Sequence, residues 1–141
     1  MKLTEKQIKD IAEELLCGFN VYINKKTKET NALPDPNGLY YDGESWDHEF
    51  EKMDAEWENY IVVTPMHSNE SYRIMEAFID EVEDPELSTE LTHRLNYQRP
   101  FANFKAVVES SEYRQKWFDF RQAKWEEYVR EELNIDDIEI E

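Results

Sequence analysis

Three glycines, at positions 18, 38 and 43, leave a chain of 141 residues few points at which the backbone can turn tightly or enter left-handed conformations. The five prolines reinforce this constraint, because each stands where an element would start or stop. Pro34 and Pro36, with Gly38, break the pattern into a loop. Pro65 closes a short apolar run, Pro85 follows a capping aspartate, and Pro100 opens a further helical segment. So few breakers favour long regular elements over a loop-rich sandwich. Four Trp, eight Tyr and seven Phe supply material for a core although 35% of residues are charged.

Hydrophobic spacing places the elements. Thr4 and Gln7 form a capping box, with Leu3 and Ile8 spaced as a hydrophobic staple. Ile8, Ile11, Ala12, Leu15 and Leu16 then recur at helical intervals, and Gly18 supplies the stop. Cys17, at the end of that apolar face, is expected to be a buried, inert thiol. Phe19, Val21 and Ile23 alternate with Asn20, Tyr22 and Asn24, the pattern of a half-buried strand, and residues 29–33 return as a second strand after a lysine-rich turn. Ser45 is a candidate cap for a helix whose Trp46, Phe50, Met53 and Trp57 form one stripe. Residues 60–63 read as a strand. From Ser68 the chain is helical. Tyr72, Met75, Phe78, Ile79 and Val82 mark one helix, and Leu87, Leu91 and Leu95 a second behind Asp84. Phe101, Phe104, Val107 and Val108 mark a third. A fourth begins after Ser110 or Ser111 and runs to about Leu133. The expected architecture is α+β: an N-terminal helix, a small antiparallel sheet, then a helical half of about four helices. Residues 1–141 read as a single domain, with 134–141 an acidic tail expected to fray.

The formal net charge of −17 disfavours long nucleic acid and anionic membranes as partners, and favours basic ones. A lone cysteine, the absence of a signal-like apolar run in MKLTEKQIKD, and no stretch long enough to span a bilayer point to a cytoplasmic protein. The chain carries no phosphate-binding loop, no dinucleotide-binding glycine pattern and no cysteine pair for zinc. Asp35-Pro36-Asn37-Gly38 fails the spacing of a calcium loop. His48, His67 and His93 lie on different elements, so no metal is expected, and no cofactor either. No carboxylate pair stands out as general acid and base, so no catalytic residue is assigned and enzymatic activity ranks last.

The unusual stretch is 97–129, in which nine aromatics are interleaved with arginines and lysines. On a helical projection Tyr113, Trp117, Phe118, Phe120, Trp125, Tyr128 and Val129 span one arc, with Arg114 and Arg121 in its middle. Three arrangements would reconcile those charges with an apolar face. The guanidiniums lie over the rings, they pair with internal carboxylates, or they line an anion pocket. Arg99, Lys105, Arg114, Trp117, Arg121 and Trp125 are therefore the candidate ligand- or partner-binding residues. Residues 42–58, with eight Asp and Glu against Lys52 alone, form a second candidate surface.

Several segments carry a family resemblance: Tyr60 to Pro65, Ser71-Tyr72-Arg73-Ile74-Met75-Glu76-Ala77-Phe78, Phe101 to Lys105, and Trp117 to Phe120. Together, over about residues 58–130, they resemble an uncharacterised (UPF-type) family of small acidic bacterial proteins. The chain departs from that family at Tyr97-Gln98-Arg99-Pro100 and at Ala102-Asn103, where many relatives have a glycine-arginine lead-in and further arginines. The resemblance implies the order of elements and a bacterial, cytosolic origin, and implies no catalytic residue. The expectation is a non-enzymatic interaction module with an unidentified protein partner. The alternative is a binder of small anions or single-stranded RNA through Arg99, Lys105, Arg114 and Arg121. Homodimerisation through the edges of the small sheet stays open.

Overall fold

The computed structural model describes residues 2–35, 43–135 and 139–140. It is an α+β chain with an N-terminal helix, a small antiparallel sheet and a helical C-terminal half. The chain divides into two compact units, Met1–Pro65 with Trp125–Glu141, and Met66–Lys124. The last long helix, α6 (Arg114–Ile135), contributes to both.

The first unit opens with β1 (Lys2–Leu3) and α1 (Glu5–Leu16). The Thr4 hydroxyl accepts from the Gln7 N–H and the Gln7 side chain accepts from the Thr4 N–H, completing the capping box. At the other end Gly18, at φ 94°, donates to Leu15 O while the Phe19 N–H reaches Glu14 O. This left-handed turn satisfies carbonyls that the helix leaves open. Cys17, expected to be buried, is exposed at the C-cap. Leu15 is the last fully buried residue of the helix, Leu16 is half-buried, and the chain turns away from the core at Cys17.

β2 (Asn20–Asn24) lies between β3 (Thr30–Leu33) and β4 (Tyr60–Val63) in an antiparallel sheet of order β3-β2-β4. Asn24 closes the β2–β3 turn, its side-chain oxygen accepting from the Lys26 and Thr27 N–H groups. α1 packs against β2, and Ile8, Ile11, Ala12, Leu15, Val21, Ile23, Leu33 and Val63 are all buried. The strand alternation turns Tyr22 and Val62, direct cross-strand partners, to the other face.

α2 (Gly43–Asp54) borders that other face, with the Tyr22 and Phe50 rings 5.8 Å apart and edge to face. Ser45, expected as the cap, lies inside the helix, and the loop expected around Pro36 and Gly38 falls outside the described residues. Trp57 leaves the stripe predicted for it. The helix ends at Asp54 and the chain tightens into a 3-10 turn, Trp57–Asn59, so Trp57 is not carried on the helix and is exposed, whereas Met53 is buried. The C-terminal part of α6 buries Trp125, Val129 and Leu133. It is tied to its own unit by the Tyr128 hydroxyl, which donates to Thr64 O at 2.7 Å, and by an ion pair between Arg130 and Glu5. β5 (Glu139–Ile140), within the acidic tail, pairs in parallel with β1.

The second unit is helical: α3 (Ser68–Ile79), α4 (Pro85–Leu95), α5 (Pro100–Glu109) and the first turns of α6. Asp84 accepts from the Glu86 and Leu87 N–H groups and caps α4, with Pro85 in the first position where it loses no bond. Ser111 Oγ accepts from the Tyr113 N–H just ahead of α6. The core joins Met75, Phe78, Leu91, Leu95, Phe104, Val108 and Trp117. Trp117 is its keystone, with ring centroids 5.3 Å from Phe78 and 5.1 Å from Phe104, both edge to face.

Candidate functional site

The helical projection puts both arginines of α6 in the middle of an aromatic arc. The structure separates them. Trp117, Arg121, Trp125, Val129 and Leu133 recur every four residues along α6, and all but the half-buried Arg121 are buried. Arg114 lies off this line and is exposed. Its guanidinium carbon stands 5.2 Å from the centre of the Phe118 ring. That of Arg121 stands 5.1 Å from Phe118 and 5.6 Å from Trp117. Lys116 lies over Tyr113 and Lys124 over Phe120 in the same manner. Around the N-terminal half of α6 the cations thus lie over neighbouring rings; Arg114 and Lys116 are exposed, whereas Arg121 is half-buried with its Nε enclosed.

The remaining candidates are dispersed. Arg99 is exposed at the start of α5, in a left-handed conformation at φ 49°. Lys105 is half-buried on α5, next to the fully buried Phe104. Trp117 and Trp125 are only 1% and 7% exposed, so neither offers a ring face on which a ligand base could stack. Trp125 belongs to the first unit and pairs edge to face with Tyr128 at 5.8 Å. A different exposed aromatic lies near Arg99: Tyr97, 62% exposed, stacks on His93 with centroids 5.7 Å apart.

The first unit holds a cleft built partly from the acidic segment 42–58, which the sequence marked as a second candidate surface, and partly from strand residues that it did not single out. Tyr22 of β2, Tyr60 and Val62 of β4, Phe50, Met53 and Asp54 of α2, and Trp57 of the 3-10 turn line an open cleft of about 210 Å³. Trp57 is 68% and Val62 49% exposed, although both are large apolar residues. Asp54 brings a carboxylate into the lining, and the segment that supplies it is acidic: Asp47, Glu49, Glu51, Asp54, Glu56 and Glu58 stand against Lys52 over residues 47–58. Burial raises the Tyr22 hydroxyl above its ordinary pKa of 10.0, helped by the charges of Asp35 and Asp54 and opposed by a hydrogen bond to Asn20. The sequence hid this cleft because the spacing of Trp57 matched the buried stripe. One signal was present: a helix reaching Trp57 would leave only Glu58 and Asn59 to connect to a strand at Tyr60.

A second, more polar notch of about 180 Å³ lies in the second unit between α3 and α4, lined by Tyr72, Glu76, Ile79, Asp80, Thr92, Leu95 and Asn96. The Tyr72 hydroxyl spans it to donate to Leu95 O at 2.9 Å. Among the described residues no group of three or more His, Cys, Asp or Glu is placed to hold a metal ion, and no helix is long and apolar enough to cross a membrane.

An α+β protein with an open cleft lined by aromatic and apolar side chains and by Asp54 is the class that these features define. The chain belongs to the uncharacterised protein family UPF0158, whose model matches residues 37–141. It is 27% identical over 88 residues to the UPF0158 protein PA5073 of Pseudomonas aeruginosa, an alignment covering 62% of this chain and 58% of the relative. No solved structure matches the chain.

Proposed function

We propose that the chain is a non-enzymatic binding module that docks a protein partner in the cleft between α2, the 3-10 turn and β4. The observation that carries this reading is the joint exposure of Trp57 and Val62, at 68% and 49%, on the rim of one apolar cleft. Scattered exposed hydrophobics are ordinary; a tryptophan, a β-branched residue and two tyrosines around one depression resemble the anchor region of an interface. The interleaved basic and aromatic residues of 97–129 serve this role less well, since Trp117 and Trp125 are buried and Phe118 already sits beneath two guanidiniums. We read the protein as bacterial and cytoplasmic, supported by the Pseudomonas relative and by a single cysteine in the chain.

The test is affinity capture from a bacterial extract with the wild type, Trp57→Ala, and an Arg114→Ala/Arg121→Ala pair. A partner that is retained by the wild type and the arginine pair, lost by Trp57→Ala, and bound again as purified protein supports the cleft. Identical captures by all three proteins remove it. A second reading, recognition of small anions or single-stranded RNA, is favoured by one observation, the Tyr97–His93 stack with its exposed tyrosine, two residues before the exposed Arg99 in the chain. Binding of that kind would fall steeply with added salt.

A further inference from the structure

The backbone around the cleft narrows what its occupant is. β4 is an edge strand of the sheet order β3-β2-β4. The Lys25 N–H donates to Asn59 O at 2.6 Å, so Lys25 and Asn59 form a hydrogen-bonded pair in the β2–β4 ladder. In an antiparallel ladder such pairs alternate with non-bonded ones. The register Asn24↔Tyr60, Ile23↔Ile61, Tyr22↔Val62 then makes Ile61 bond to β2 and turns the backbone groups of Tyr60 and Val62 outward. The β2–β3 side agrees, since the Asn24 N–H donates to Glu29 O and so places Asn24 and Tyr22 toward β3. Both ends of the outward edge are tied off. The Tyr60 N–H donates to Trp57 O, and Thr64 O accepts from the Tyr128 hydroxyl. Between them lie Tyr60 C=O and both backbone groups of Val62, and among the described residues no strand pairs on that side.

The same two residues, Tyr60 and Val62, also send their side chains into the cleft. An occupant that hydrogen-bonds to this edge therefore also lays every second side chain beside Trp57, Phe50 and Asp54. The lysines of the β2–β3 turn lie at the Tyr60 end of the strand, beside the 3-10 turn, as the Lys25–Asn59 and Asn24↔Tyr60 pairings show, so the negative charge offered to an occupant is that of α2, with Asp54 in the lining of the cleft.

We propose, building on the binding-module reading above, that the cleft receives a basic, extended segment of another protein that adds as a strand to the outer edge of β4. Its apolar residues rest on Trp57 and Val62, and its Lys or Arg side chains meet Asp54 and the acidic residues that flank it. Main-chain pairing gives such a contact its affinity, while the cleft and its charge select the sequence.

The experiment titrates the intact protein with synthetic peptides of about six residues, a common strand length, followed by amide chemical shifts and calorimetry. One peptide alternates lysine with valine and phenylalanine. A second has glutamate for each lysine. A third is the basic peptide N-methylated at alternate amides. Shifts at Val62 and Trp57 with the first peptide and none with the other two are the expected result. Trp57→Ala should weaken binding by at least about tenfold, as expected of an anchor, and Asp54→Asn by about two- to fivefold at low salt. Trp57 is mostly exposed, so its replacement leaves the fold to serve as its own control. Equal binding of the basic and N-methylated peptides overturns strand addition and leaves the module reading standing. Binding of the acidic peptide overturns the charge assignment. No shift with any peptide at millimolar concentration, together with concentration-dependent self-association abolished by Trp57→Ala, overturns the proposal in favour of a second copy of this chain. No shift and no self-association overturns this proposal and leaves the cleft reading to the capture experiment.

Discussion

Trp117 and Arg114 stand three residues apart on α6 and have opposite roles. The indole is enclosed by Phe78 and Phe104, whereas the guanidinium is exposed and rests on Phe118 from the outside. Replacing Trp117 by Ala removes the ring that joins α3, α5 and α6 and leaves a cavity, at an expected cost of about 3–5 kcal/mol. Arg114→Ala removes one exposed cation–ring contact and should cost less than about 1 kcal/mol. Urea denaturation of the two variants checks this contrast; equal losses would mean that the arginine is part of the core. The aromatic arc was legible because helical spacing alone places those side chains on one side. Which of its members are enclosed was not, because the arc is wider than the face that neighbouring elements cover.

At the level of elements, most boundaries follow from local chemistry. The capping box at Thr4, the aspartate before Pro85 and the glycine after α1 each satisfy backbone groups within a few residues of themselves, so the sequence displays them without knowledge of the fold. Gly18 gives the sharpest test. A methyl group there would meet no atom within 4 Å, so the cost of Gly18→Ala is purely that of holding alanine at φ 94°. The expected loss is about 1–2 kcal/mol. Gly18→Asn should lose less, because asparagine tolerates the left-handed region. Thermal unfolding of both variants decides it, and a neutral Gly18→Ala would contradict the cap. α2 shows the limit of this local reading. Trp46, Phe50, Met53 and Trp57 keep helical spacing through position 57, yet the helix stops at Asp54, because the chain must unwind to enter β4 at Tyr60.

For the molecule as a whole, the net charge of −17 outweighs any single ion pair. The ion pairs Lys6–Asp10 and Arg94–Glu90 are largely exposed one-turn contacts of small individual effect. Carboxylate repulsion should therefore dominate the salt response. Added NaCl is expected to raise the unfolding temperature, with most of the rise complete by about 0.1 M, where the screening length has shrunk to about 10 Å. A fall in unfolding temperature over that range would show that attractive pairs prevail. Order of elements, the buried halves of the helices and the acidic character were all readable from spacing and composition, because helices and caps are set by neighbours close in the chain. The cleft was not. It exists because β2 and β4, some forty residues apart, pair in a register that turns Tyr22 and Val62 outward together, and because α2 ends early enough to leave Trp57 beside them. A local pattern records which face of an element is apolar, while the pairing of distant strands determines whether that face is covered or left open to a partner.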